Sequence, residues 1–133
     1  MSNYQFDNIV IFDSNRGINI SVSDSCSLEN VSFNNIRIET RLHTGDWWGQ
    51  GEPIKVSAMM LTPEKPKLGK IRNLFFNNIT CIGENSVVMV ADKQTQLEGI
   101  YFSNFEFIVR KSRLENIAGG NYDLRVTSHV KRN

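Results

Sequence analysis

Alanine is scarce, with three residues in 133, and no stretch carries apolar residues at a helical period. That argues against a helical protein. β-branched and aromatic residues dominate the apolar set instead, and they fit a pleated strand better than a helix. Cysteine is limited to Cys26 and Cys81, too few for a disulfide framework. Charge of one sign is lacking: 15 basic residues are interspersed with 14 acidic ones for a net +1. Such a balance leaves no electrostatic footprint for nucleic acid and no like-charge tail. No apolar run reaches membrane-spanning length, so a membrane is not an expected partner. No signal sequence precedes the first repeat, so export is not indicated and the location stays undetermined. No motif calls for a cofactor. With 40% hydrophobic residues the chain has enough apolar material for one domain with a core.

What is present is a repeat. Met1-SNYQFDNIVI, Leu28-ENVSFNNIRI, Ile71-RNLFFNNITC and Leu97-EGIYFSNFEF align without gaps. The columns read Met1/Leu28/Ile71/Leu97, Tyr4/Val31/Leu74/Ile100, Phe6/Phe33/Phe76/Phe102, Asn8/Asn35/Asn78/Asn104, Ile9/Ile36/Ile79/Phe105 and Ile11/Ile38/Cys81/Phe107. Apolar positions alternate, break at the Asn, and alternate again, which predicts two short strands joined by a tight bend. Asn tolerates the left-handed backbone that such a bend needs. Stacking the repeats puts the four Asn above one another, where their amides can bond as a ladder. Independent Asn turns in a sandwich are the competing arrangement. Cys81 falls in an inward column and is expected to be a buried free thiol, while Cys26 lies in a connector.

Phe6, Phe33, Phe76 and Phe102 are 27, 43 and 26 residues apart. A period in the twenties, built from strands, predicts a short right-handed parallel β-helix of about four coils over residues 1–110. A leucine-rich repeat is the rival, but its Leu-x-x-Leu-x-Leu pattern is missing. A third strand per coil is expected at Gly17-Ile18-Asn19-Ile20, Pro53-Ile54-Lys55-Val56 and Val87-Val88-Met89-Val90. The second coil carries two insertions, at 41–53 and 57–70, flanking one strand. In solenoids such insertions map to loops, often on the binding face. Residues 111–133 abandon the columns and are expected to form a tail or cap, with 122–127 as one more strand.

The 41–53 loop, Arg41-Leu-His-Thr-Gly-Asp-Trp-Trp-Gly-Gln-Gly-Glu-Pro53, holds both tryptophans, Trp47 and Trp48. In an extended segment adjacent residues point to opposite sides, so one indole can pack while the other meets the apolar face of a sugar ring. Arg41, His43, Asp46, Gln50 and Glu52 are candidates to bond hydroxyls. Packing of the indoles against the solenoid is the structural alternative. Gly17, Gly45, Gly49 and Gly51 imply tight backbone geometry or close ligand approach. His43, Asp46 and Glu52 lack the spacing of a recognised metal site, and Asp46 with Glu52 is a weak candidate for a glycosidase acid/base pair. His129 lies in the tail and reads as a surface residue.

Asn15-Arg-Gly-Ile-Asn-Ile20, then Leu28-Glu-Asn-Val-Ser-Phe33, then 38–54 with its Gly-Asp-Trp-Trp-Gly centre resemble the polygalacturonase family, glycoside hydrolase family 28, over about residues 1–110. The resemblance covers only the C-terminal coils of such an enzyme. It implies a right-handed parallel β-helix and inverting hydrolysis of pectic glycosides by aspartates in Asn-Thr-Asp and Asp-Asp motifs, followed by Gly-His-Gly. None of these motifs occurs in this sequence; they are expected upstream of Met1. The family's Arg-Ile-Lys motif, which holds the substrate carboxylate, has no counterpart after Gly17-Ile18, where Asn19-Ile20-Ser21 stands; Arg16 is the nearest basic residue. The resemblance implies an oligosaccharide or polysaccharide partner, with Arg16, Arg41, His43, Asp46, Trp47, Trp48 and Glu52 as substrate-binding candidates and no catalytic residue in this chain. Family members are often secreted. A non-catalytic carbohydrate-binding or structural β-helix module and an oligomeric adhesin of the phage-tail kind are the alternatives. The first coil has no coil above it in the sequence, so its open strand edge is expected to drive homo-oligomer formation.

Overall fold

The computed structural model describes residues 1–43, 49–60, 68–93 and 96–110. It is all-β, with seven strands and no α-helix among the described residues. The strands are β1 (Ser2–Ser14), β2 (Arg16–Val22), β3 (Leu28–Thr40), β4 (Glu52–Ala58), β5 (Ile71–Gly83), β6 (Val88–Ala91) and β7 (Leu97–Val109). Successive strands alternate between two parallel sheets, one ordered β1-β3-β5-β7 and the other β2-β4-β6. The tail at 111–133, with its expected strand at 122–127, lies outside the described residues.

The sequence columns are the pairing register. Phe6 pairs with Phe33, Phe33 with Phe76, and Phe76 with Phe102. The rings stack, with centroids 5.0, 5.1 and 4.9 Å apart and planes within 10° of parallel. Identical side chains repeat because a parallel in-register ladder places like over like, as in other dry stacked interfaces. The core is deepest in the middle strands, where Ile38, Ile54, Val56, Ile71, Leu74, Phe76 and Cys81 are fully buried. Burial pushes the Cys81 thiol up to about 12. Cys26 is exposed, and both cysteines are free.

The bend differs from expectation in two ways. Each repeat is one continuous 13-residue strand that turns at corners, rather than two separate strands. There are also two corners per repeat. Asn8, Asn35, Asn78 and Asn104 adopt φ of 56°, 56°, 54° and 49°, and a second column of Asn3, Asn30, Asn73 and Gly99 adopts 64°, 56°, 56° and 65°. Asn104 donates to Asn78, and Asn78 to Asn35, each at 2.8 Å. The last rung goes to the Asp7 carboxylate instead of Asn8. The second column forms its own rungs, Asn73 to Asn30 at 3.0 Å and Asn30 to Asn3 at 3.3 Å.

These amides are exposed, not buried. The corner residues therefore act mainly through the backbone angle. Asn78→Ala is expected to lower the unfolding free energy by roughly 1–2 kcal/mol, the cost of a left-handed residue bearing a Cβ. Asn78→Gly should cost about 1 kcal/mol or less, the net worth of an exposed hydrogen bond. Urea unfolding of the two variants checks this. Equal losses would mean that the amide ladder, and not the angle, holds the corner.

The insertions are shorter than the sequence suggests. β4 runs through Ala58, so Ser57 and Ala58 belong to the sheet, and the Ser57 hydroxyl meets that of Ser21 at 2.6 Å. β4 also opens one residue before the expected Pro53, at Glu52. Gly17 on β2 has no room for a side chain: a Cβ there would fall on the Pro53 carbonyl and on Ile38 Cγ2.

Candidate functional site

The C-terminal ends of the four-stranded sheet's strands open onto a cleft of about 290 Å³. Phe12 and Asp13 enter it from β1, Glu39 and Thr40 from β3 with Arg41 just after it, Glu84 from just past β5, and Arg110 from just past β7. One stacking direction thus collects residues that are far apart in the chain.

A bulge shapes its mouth. Ile11 pairs with Ile38 and Ser14 with Thr40, so β1 carries one residue more than β3 between these pairs. Asp13 takes up the difference with φ 54°. Bulges re-aim side chains and are frequent beside sites. Phe12 is 71% exposed at the cleft wall, and Asp13 forms an ion pair with Arg41.

The charged side chains are mutually engaged. Arg41 Nη2 donates to Asp13 Oδ2 at 2.9 Å, and Arg110 Nη1 donates to Glu39 Oε1 at 2.8 Å. The Leu42 amide donates to Glu84 Oε2 at 2.9 Å. Every carboxylate lining the cleft therefore has a partner. Among the described residues, no group of three or more His, Cys, Asp or Glu side chains is arranged to hold a metal ion.

Both stems of the 41–53 loop are pinned beside this cleft. On the first stem, the Arg41 amide donates to the Ser14 carbonyl at 2.9 Å, and His43 Nε2 lies 3.2 Å from the Asp13 carbonyl. On the second, the Gly51 amide and the Asn15 carbonyl meet at 2.8 Å, and Asn15 Nδ2 donates to the Gly49 carbonyl at 2.9 Å. Thr40 Oγ1 ties the stems together by donating to the Gly51 carbonyl at 2.7 Å. Gly49 needs to be glycine twice over: its φ is +123°, and a Cβ would lie 2.7 Å from the Asn15 carbonyl oxygen.

Of the candidates read from the sequence, Arg41 lines the cleft and His43 stands at its edge on Asp13. Arg16 and Glu52 form a different group beneath the second stem. Glu52 is 3% exposed. One of its oxygens takes Arg16 Nε and the other takes the Gln50 amide, both at 2.5 Å. That carboxylate is used by the loop's own backbone, and Arg16 is used by the carboxylate. Asp46, Trp47 and Trp48 lie outside the described residues, as does Gly45. The sequence reading did not single out Phe12, Asp13, Glu39, Glu84 or Arg110. The signal that finds them is the stacking register extended past the last apolar column.

No family model, curated protein or solved structure matches the chain.

Proposed function

We propose that these strands wind as a right-handed parallel β-helix, forming C-terminal coils of a polygalacturonase-like glycoside hydrolase, and that the cleft with the 41–53 loop holds a pectic or related glycan. The observation that carries this reading is the position of the cleft. It lies at one end of the stacked strands, walled by the exposed Phe12 ring and by hydrogen-bonding side chains. The pinned stems of the segment containing both tryptophans stand beside it. An apolar wall with a few convergent polar groups is what a sugar ring with its hydroxyls requires.

Hydrolysis by this chain alone is not part of the proposal. The family's aspartate motifs are missing from the 133 residues, and the cleft carboxylates are occupied by Arg41, Arg110 and the Leu42 amide. The same occupied carboxylates favour the second reading, a non-catalytic glycan-binding β-helix module. Addition of mixed pectic oligosaccharides is expected to change the tryptophan fluorescence with saturation and to release no new reducing ends. Arg41→Ala should weaken that binding about tenfold, the loss of one hydrogen bond to a charged donor. No fluorescence change at millimolar sugar would remove the glycan reading. Hydrolysis that persists in the purified chain would contradict the non-catalytic part.

A further inference from the structure

We infer that copies of this chain stack head to tail, the β7 edge of one copy taking the β1 edge of the next in the register that relates successive repeats. The inference is independent of the glycan reading. β1 and β7 are the outer strands of the four-stranded sheet, so each keeps one edge without a strand partner among the described residues. Both edges carry apolar side chains. Tyr4 and Phe6 on β1 are 44% and 42% exposed, although they stand in columns whose middle members, Val31 and Phe33, are buried. On β7, Phe102 is 39% exposed over the fully buried Phe76. Phe6 and Phe102 each have one stacked partner, Phe33 and Phe76, where the rings between them have two. A long unpaired edge beside exposed apolar side chains is a template for another chain.

Outline, facing and polarity select the occupant. Each edge bends at two left-handed corners five residues apart, Asn3 and Asn8 on β1, Gly99 and Asn104 on β7, so a straight strand follows neither. In the register of the repeats Phe102 lies over Phe6 and Ile100 over Tyr4, inward residue on inward residue. An antiparallel β1–β1 contact fails here. Matching its corners, Asn3 to Asn8, sets Tyr4 against Asp7 and Phe6 against Gln5, an inward residue against an outward one each time. The corner ladder also has a direction. The Asp7 carboxylate only accepts, so Asn35 donates to it, which leaves the Asn35 oxygen to accept from Asn78, and the Asn78 oxygen from Asn104. Among the described residues, the ladder thus ends on β7 with a spare acceptor, Asn104 Oδ1, and on β1 with the unbonded Asn8 amide. Joining unlike ends brings that donor to that acceptor and sets the Ser103 hydroxyl over the Asp7 carboxylate; joining like ends does neither. Because the contact joins two different surfaces along one axis, it does not close, and growth is open-ended.

The test follows the mass of the whole chain against concentration by sedimentation velocity and light scattering. The mass is expected to climb past that of two chains as the concentration rises through the micromolar range. Phe6→Lys and Phe102→Lys each place an ammonium group that reaches water at a free end and is buried among apolar groups in the stacked contact. Each variant alone is expected to stay monomeric. An equimolar mixture of the two should form a dimer that grows no further, because the open β7 edge of the first meets the open β1 edge of the second and both outer ends are blocked. Self-association of Phe102→Lys on its own would show pairing of like β1 ends and overturn the inference. So would a parent chain that stays monomeric or stops at two copies, or a mixture that stays monomeric. Tyr4→Lys and Ile100→Lys, one column along the same two edges, provide the same pair if either first variant loses its cooperative melt.

Discussion

Replacing Phe76 by Ala should lower the unfolding free energy by about 3–5 kcal/mol, the usual cost of deleting a buried aromatic ring. The ring is fully buried. It is also sandwiched, with Phe33 on one face at 5.1 Å and Phe102 on the other at 4.9 Å. Removing it opens a void inside a column whose neighbours cannot close up, because the strand ladders on both sides fix their spacing. The end members, Phe6 and Phe102, are 42% and 39% exposed. Ala in place of Phe6 should therefore cost less than half as much. Chemical denaturation of the two variants checks the order, and equal losses would show that the column is not continuous.

Arg16→Met should cost about 3–5 kcal/mol, because it leaves a buried carboxylate without its counter-charge. The Glu52 side chain is only 4% exposed and that of Arg16 is 19% exposed. An exposed pair would contribute about 0–1 kcal/mol. The remedy follows from the same geometry. Adding Glu52→Gln to Arg16→Met removes the stranded charge while keeping an acceptor for the Gln50 amide, so the double variant should recover much of the loss. Comparison of the urea midpoints of single and double variants measures the coupling. A single-variant loss below about 1 kcal/mol would show that the pair behaves as a surface contact. Through Glu52, Arg16 is tied to the Gln50 amide and so to the second stem of the 41–53 loop.

The strand register was legible because it is written four times. Column identity from Met1 to Ile11 transfers directly to pairing, since a parallel ladder with no slip repeats each side-chain environment. The Asn8 corner was legible for the same reason. The Asn3 corner carries the same chemistry, and its fourth member, Gly99, shows what the position selects: a left-handed φ, not an amide. Exposure of the ladder was not legible, because an outward corner and an inward one need the same residue. The cleft was the least legible part. Asp13 and Glu39 lie on β1 and β3, Glu84 and Arg110 just past the ends of β5 and β7, and they meet only through stacking; the extra residue that turns Asp13 into the mouth lies past the last repeated column. Glu52 is the converse case. A carboxylate in a Trp- and Gly-rich loop resembles a hydroxyl ligand in sequence, yet its neighbours in space, Arg16 and the Gln50 amide, make it a brace.

The most direct test of glycan binding at the strand ends is an amide-resolved NMR titration of the chain with methyl-esterified tetragalacturonate. Saturable shifts are expected at Asp13, Ser14, Thr40–His43, Gly49–Gly51, Glu84 and Arg110. The exposed corner residues Asn30, Asn35, Asn73 and Asn78 should stay still. Shifts centred on those corners, or none at millimolar ligand, would contradict a glycan site in this cleft.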